Sequence, residues 1–323
     1  EWLYPDDEQS YIACNITAQQ ISERLAGQNG RITAVYITSP DYLGNMQDIA
    51  AIARACHESG ALLSVDNAHG AYLKFMPTPA HPMDLGADIC CDSAHKTLGV
   101  ITGGAYLHIS VSAPAVLAER AKASFSVFGT SSPSYLILQS LDAANGTTEA
   151  FRNELRTFLP EADSLKAKLA AHGFELAGSE ALKLTLKPKS FGYSGQDIAA
   201  TLEAANIYPE FYDPDYIVLM LSPRHSEREL DALCDTLCSL PRRAPIVSAP
   251  PRMPRPERVI SPREALLAAA EKVPLPCCLG RISAASAIGC PPAIPIVIMG
   301  ERINSAAIAC LEYYGIESCM VVK

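Results

Sequence analysis

From Ala34 to Val65 the chain reads strand, helix, strand, and this order constrains the fold more than any other feature. Ala34-Val35-Tyr36-Ile37 is a short apolar run closed by Thr38-Ser39-Pro40. Residues 46 to 59 then place Ile49, Ile52, Ala53 and Cys56 on one helical face, and Gly60 stops the pattern. Ala61-Leu62-Leu63-Ser64-Val65 follows as a second apolar run. Two such strands joined through a helix lie parallel with a right-handed crossover. Both therefore end at one sheet edge, and Thr38, Ser39 and Asp66 emerge there together. The expected fold class is α/β, with a mostly parallel sheet and flanking helices.

Other elements extend this plan. Thr17-Ala18-Gln19-Gln20 caps a short helix reaching about Leu25. Ala87 to Cys91 reads as another strand and Gly103 to Ile109 as the next, where paired glycines let a backbone come close. Helix-like segments fill 146 to 172, with a further helix over 135 to 145. A small second α/β unit starts near Phe174: strand Ala181 to Leu186, helix Gly195 to Ala205, strand Tyr216 to Leu221, helix Ser226 to Leu237. Within it Glu210-Phe211-Tyr212-Asp213 reads as a solvated turn that faces a cleft only as a lesser alternative. Pro241 to Pro256 carries six prolines and four arginines without period and reads as a semi-rigid linker. Ser261-Pro262-Arg263-Glu264 opens a helix. The expected division is 1–150, a partial major domain; 151–240, a small α/β domain; 241–257, the linker; and 258–323, a C-terminal α/β domain.

A length of 323 residues exceeds what one core usually holds. The net charge of −9 argues against a nucleic-acid partner and is compatible with a cationic substrate. No stretch approaches the roughly 20 apolar residues of a membrane span, and EWLYPDDEQS lacks the plan of a signal peptide, so a cytoplasmic location is expected. Eleven cysteines without any CxxC pair read as buried reduced thiols, with no metal.

Asp66 closes an apolar strand, and thirty residues later Lys96 stands inside Ser93-Ala94-His95-Lys96. Pyridoxal phosphate chemistry asks for such a set. An amine must attack the cofactor aldehyde in its neutral form, a partly buried carboxylate must keep the pyridine nitrogen protonated, and the phosphate takes hydroxyl and imidazole donors. Either residue alone is more often a helix cap or a solvated charge, and His69 alone is more often a packed histidine. It is the grouping of Asp66, Ala68-His69 and Ser93 to Lys96 on successive strand ends that carries the signal.

These residues resemble the cofactor motifs of fold-type I pyridoxal 5′-phosphate enzymes. More narrowly, TSPDYLG (38–44), DNAHGAYLKF (66–75), HPMDLGADICCDSAHKTL (81–98) and TGGAYLHI (102–109) resemble the Orn/Lys/Arg decarboxylase family. The resemblance makes Lys96 the lysine that carries the cofactor and Asp66 the partner of the ring nitrogen. Ser93 and His95 become phosphate contacts, Ala68 a ring contact and His69 a weaker one. Gly99 stands where proline is expected and loosens the turn after the lysine. In the hydroxyl-rich run Ser124 to Tyr135, the resemblance sends Ser131 and Ser132 to the cofactor phosphate of a partner subunit, against plain helix capping, and so implies a homodimer with its site at the interface. The segment Cys290 to Glu301 is similar to the family's C-terminal domain, where Glu301 reads equally as an acidic contact for a basic side chain or as a structural residue. Residues 1 to 37 hold neither the phosphate loop nor the ring-stacking residue usual in these enzymes, and the front third of the usual polypeptide is expected to be absent. The implied reaction is decarboxylation of arginine, lysine or ornithine. The alternatives are an aminotransferase, a cysteine desulfurase-like lyase, since Ser-x-His-Lys alone also occurs there, and a non-catalytic remnant.

Overall fold

The structure is a computed structural model describing residues 3–4, 10, 12–13, 15–28, 31–285 and 294–323. Helix α1 (Ala18–Leu25) opens on the expected capping box, in which Thr17 and Gln20 satisfy each other's backbone N–H. Strand β1 (Ala34–Thr38), helix α2 (Ile49–Glu58) and strand β2 (Leu62–Asp66) follow. Asp48 caps α2 by accepting from the Ala51 N–H, and Gly60 leaves it in the left-handed region at φ 72°. β1 and β2 pair in parallel with Thr38 opposite Asp66, so the strand ends meet as the crossover argument requires.

Strand β3 (Ile89–Asp92) continues the sheet parallel to β2, with Asp66 opposite Cys91. One turn of helix, α3 (Ala94–Thr97), then reverses the chain into β4 (Tyr106–Ile109), which runs antiparallel to β3 and sets His108 opposite Cys90. The order is β1-β2-β3-β4. Alternation gives the sheet two unlike faces. Ile37, Leu63 and Val65 pack under α1 and α2 against Ile21, Leu25, Ile52 and Cys56, and full burial of each such side chain stabilises by about 1.5–3 kcal/mol. The other face is open: Tyr36 is 68% exposed, and Cys91 is exposed beside it.

Helices α4 (Ala115–Phe128) and α5 (Tyr135–Gly146) bury none of their residues. The hydroxyl-rich run read as leading into a helix is therefore divided, Ser124 to Phe128 forming the end of α4. Helix α6 (Thr148–His172) buries Phe151, Leu155, Phe158, Ala162, Leu165 and Leu169, a three-and-four spacing that lays one stripe on a second sheet. That sheet is antiparallel in the order β5-β6-β8-β7, from β5 (Glu175–Ala177), β6 (Lys183–Lys187), β7 (Phe211–Tyr212) and β8 (Ile217–Met220), with helices α7 (Gly195–Ala204) and α8 (Glu227–Cys238) packed in the same core.

Glu210 to Asp213 is not a solvated turn. Phe211 and Asp213 are buried, β7 pairs with β8, and Glu210 accepts a 2.8 Å bond from the Tyr42 hydroxyl. An apolar side chain at Phe211 with a two-residue ladder made an edge strand out of polar flanks.

Residues 241–256 run without regular structure along the turn at Pro188–Phe191, where the Arg243 N–H donates to the Phe191 carbonyl and its guanidinium stacks over Tyr193 at 4.2 Å. Beyond them lie α9 (Pro262–Leu267), β9 (Ala270–Pro274), α10 (Ser305–Tyr313) and β10 (Ser318–Val322), β9 and β10 pairing antiparallel. Of the segment 290–301, residues 290–293 lie outside the described residues. Lys189 ties the three regions together: its Nζ lies 2.7 Å from Asp215 Oδ1, 2.8 Å from the Ser248 carbonyl and 2.6 Å from the Tyr313 hydroxyl.

Among the described residues no helix is long and apolar enough to cross a membrane. The cysteines are only partly as expected. Cys56, Cys90, Cys234, Cys278 and Cys310 are buried free thiols, but Cys91 and Cys277 are exposed. Strand alternation explains Cys91, since its neighbour Cys90 takes the covered face.

Candidate functional site

Asp66 is the last residue of β2 and is anchored at both oxygens. Oδ1 accepts the Ala68 N–H at 3.0 Å, and Oδ2 accepts the Tyr36 hydroxyl at 3.1 Å. Partial desolvation of the hydroxyl, and then the Asp66 charge, push the Tyr36 phenol up to about 12. The next residue, Asn67, turns inward and donates from Nδ2 to Asp92 Oδ1 at 2.7 Å. Gly70 must lack a side chain here, because a Cβ would stand 2.0 Å from Asn67 Oδ1.

His69 sits at the centre. It is 4% exposed, and Tyr42 packs edge-on against it with ring centroids 5.0 Å apart. Its Nε2 lies 2.9 Å from Lys96 Nζ, and its Nδ1 lies 3.2 Å from Lys183 Nζ. Burial first, then the charge of Lys183, drive the imidazole well below its ordinary value, so it is neutral at any ordinary pH. Lys96 follows Ser93, which precedes the one-turn α3 without making a side-chain cap bond. His95 is held through its ring, with Nδ1 2.9 Å from the Gly104 carbonyl that also accepts the His95 backbone N–H. Gly104 permits that approach: a Cβ would meet Val100 Cγ1 at 2.3 Å.

The structure thus brings Asp66, Ala68, His69 and Lys96 to one sheet edge, with Ser93 and His95 in the turn that presents Lys96. Ser131 and Ser132 are not among them. Both stand exposed on the loop between α4 and α5, where the Ser132 N–H bonds Thr130 Oγ1. Glu301, 9% exposed, accepts the Ile298 N–H at 2.8 Å and so bonds its own turn. Ser39, one of the edge hydroxyls, is buried and accepts the Gln47 N–H.

Several groups escaped the sequence. Lys183, the first residue of β6, reaches His69, and Glu180 pairs with Lys183, with no local signal for either. Tyr36 and Tyr42 looked like ordinary strand and turn aromatics. Behind β3, Asp92 Oδ2 accepts from His81 Nε2 at 3.0 Å and His108 Nε2 at 2.9 Å. Burial alone would raise the Asp92 carboxyl, but hydrogen bonds from His108, His81 and Asn67 outweigh it and hold the group below its ordinary value. This cluster borders a cavity of about 810 Å³ lined by Phe75, Tyr106 and Phe151 among others. Its signal was legible in principle, as a carboxylate ending the apolar Ile89-Cys90-Cys91 run.

The family described as Orn/Lys/Arg decarboxylase, major domain, matches residues 2–185, and the C-terminal domain of the same family matches residues 252–318. An arginine decarboxylase of Halalkalibacterium halodurans is 31% identical over 321 residues, covering 92% of this chain and 64% of its own length. An arginine decarboxylase of Bacillus subtilis is 28% identical over 334 residues, covering 95% and 67%. Among solved structures, lysine decarboxylase A from Pseudomonas aeruginosa aligns with a TM-score of 0.75 at 17% identity over 95% of this chain and 60% of that one. Serine palmitoyltransferase from Sphingomonas wittichii aligns at 0.56 and 15% identity over 69% and 58%. These structures show the fold, which is fold-type I as expected. The chain spans about 60 to 69% of the length of the decarboxylases it matches. With 2–185 matched by the major domain and 252–318 by the C-terminal domain, the chain belongs to the Orn/Lys/Arg decarboxylase family.

Proposed function

We propose that this chain carries the cofactor-binding centre of a pyridoxal 5′-phosphate-dependent decarboxylase, which converts a basic amino acid (arginine, lysine or ornithine) to the corresponding amine and CO2. The supporting observation is the convergence of an amine, an imidazole and an anchored carboxylate, Lys96, His69 and Asp66, at the carboxyl ends of β2 and β3. Open α/β sheets bind ligands at that edge.

The donor set fits the cofactor. Lys96 is the amine that would hold it, Asp66 would face its ring nitrogen, Ala68 and His69 would contact the ring, and Ser93 and His95 would contact the phosphate. When bound, the cofactor supplies an electron sink for the bond that breaks. The chain supplies the rest. Asp66, fixed by Tyr36 and the Ala68 N–H, keeps a proton on the ring nitrogen. His69, buried and neutral, gives the lysine a hydrogen-bond partner without adding charge. Orientation of the substrate carboxylate selects which bond breaks.

The reading includes a homodimer. Phe128, Tyr135 and Val127 are 89%, 85% and 74% exposed around the α4–α5 loop, which suits a contact between copies that carries Ser131 and Ser132 to the partner's phosphate. Glu301 is the weaker of these assignments, a substrate contact or a structural residue that accepts the Ile298 N–H.

The test uses the purified chain with added pyridoxal phosphate. A visible absorbance of the lysine-bound cofactor is expected, and it is lost in Lys96→Ala. Release of CO2 and of the matching amine is then measured with each of the three amino acids. An intact cofactor spectrum without CO2 release sinks the decarboxylase reading, and keto acid formation would replace it with an aminotransferase.

A further inference from the structure

We infer that Lys183 and Glu180 are positioning residues: they fix the tautomer of His69 and thereby hold Lys96 as an uncharged amine. The inference deepens the proposed function, since it rests on Lys96 being the lysine that carries the cofactor.

The argument is one of proton counting. A neutral imidazole has one N–H donor and one bare nitrogen. In His69 both nitrogens face a lysine, Lys96 at 2.9 Å on Nε2 and Lys183 at 3.2 Å on Nδ1. Two ammonium groups have no lone pair to offer, so both contacts are hydrogen bonds only if one lysine is a neutral amine accepting from the ring. The surroundings decide which one.

Lys183 stands among acceptors and negative charge. Its Nζ donates to the Asp41 carbonyl at 3.3 Å and lies 3.1 Å from Glu180 Oε2 with both side chains 1% exposed. It also stands 5.7 Å from the centre of the Tyr42 ring, whose face attracts a cation. The contact to Glu180 is one of charge, since Oε2 has no aligned donor among the described residues. The further charges near Glu180 are Asp41 and Lys166, whose Nζ is held by the carbonyls of Glu180 and Ala181. Lys183 is thus the ammonium. It donates to Nδ1, the single ring proton sits on Nε2, and that N–H points at Lys96, whose nitrogen accepts with its lone pair. The same lone pair attacks a cofactor aldehyde, so the arrangement keeps Lys96 in its nucleophilic form before the cofactor arrives.

The experiment reads the full chain without cofactor. Lysines are labelled competitively by formaldehyde and cyanoborohydride, and Lys96 is compared by peptide mass spectrometry with the exposed Lys122. An ordinary lysine is only about 0.1% neutral near pH 7.5, so Lys96 is expected to label at least about tenfold faster despite its partial burial, with a flatter pH profile. In Lys183→Met the advantage disappears, and the imidazole ¹⁵N spectrum of His69, assigned with His69→Gln, loses its single tautomer. Lys183→Arg, which keeps a cationic donor, restores part of both. Glu180→Gln, nearly isosteric, shifts them in the same direction as Lys183→Met and decides the matter alone if Lys183→Met fails to fold.

Equal labelling of Lys96 and Lys122 in the native chain, or a His69 spectrum unmoved by Lys183→Met or Glu180→Gln, overturns the inference. Either result alongside an intact lysine-bound cofactor spectrum leaves the proposed function standing. Fast Lys96 labelling without that spectrum does the opposite.

Discussion

Nδ2 of Asn67 lies 2.7 Å from Oδ1 of Asp92, and both side chains are buried. The bond passes from the loop that carries His69 to the back of β3, so it joins the candidate site to the His81–Asp92–His108 cluster. Asp92→Ala removes the acceptor that four buried or half-buried donors share, Asn67, His81, His108 and the Cys90 thiol. Stability is expected to fall by about 3 kcal/mol or more, as when one partner of a buried polar pair is deleted. Urea unfolding of the two proteins measures the difference.

The same carboxylate has a pH signature. Its folded pKa is depressed below the unfolded value of about 3.9 by His108, His81 and Asn67 working against burial. A group of this kind contributes stability that is complete above the unfolded pKa and is lost as pH falls toward the folded one. The native chain should therefore lose stability progressively below about pH 4, and Asp92→Asn should lose less over the same range. Equal slopes in acid titrations of the two would disprove this assignment.

Gly70 tests the same connection sterically. Its φ is unremarkable, but a Cβ would stand 2.0 Å from Asn67 Oδ1 and 2.7 Å from Leu73 Cδ1. Gly70→Ala is expected to cost about 1–3 kcal/mol by overpacking and to push the Asn67 side chain off Asp92. Combining it with Asp92→Ala should then cost less than the sum of the two, which a double-mutant cycle reads directly.

Tyr36→Phe removes one of the two donors to Asp66 while leaving the ring in place. Since Tyr36 is largely exposed, the expected loss of stability is below about 1 kcal/mol. Ultraviolet pH titration should show one fewer high-pH phenol, the one raised to about 12. If the proposed function holds, this variant also binds cofactor more weakly, because Asp66 is less firmly held.

The helix pair α4 and α5 gives a prediction about assembly. Phe128→Asp with Tyr135→Asp places charge on side chains 89% and 85% exposed. A monomer should stay folded, whereas a dimer built through these helices should dissociate. Sedimentation of native and double-variant chains distinguishes the two cases.

The strand-helix-strand core was legible because its signals are local. Ile49, Ile52 and Cys56 repeat at helical spacing, Thr17 with Gln20 and Ser261 with Glu264 spell capping boxes, and Asp66 ends an apolar run. The proximity of Asp66, His69 and Lys96 followed from parallel strands sharing an edge. What escaped was set by pairing at long range. Lys183 meets His69 across 114 positions, and Glu210 meets Tyr42 across 168. Neither carries a periodicity to betray it: Lys183 interrupts nothing more than an apolar strand, and Glu210 looks like a turn residue until β7 is seen to pair.

The contact between His69 and Lys183 bears on how this chain tolerates recombination. A chimera that takes the second sheet from a related sequence imports whatever residues stand at 180 and 183. Crossovers between 75 and 175 should therefore succeed only when donor and recipient agree at these two positions. Natural variants are expected to exchange them as a linked pair.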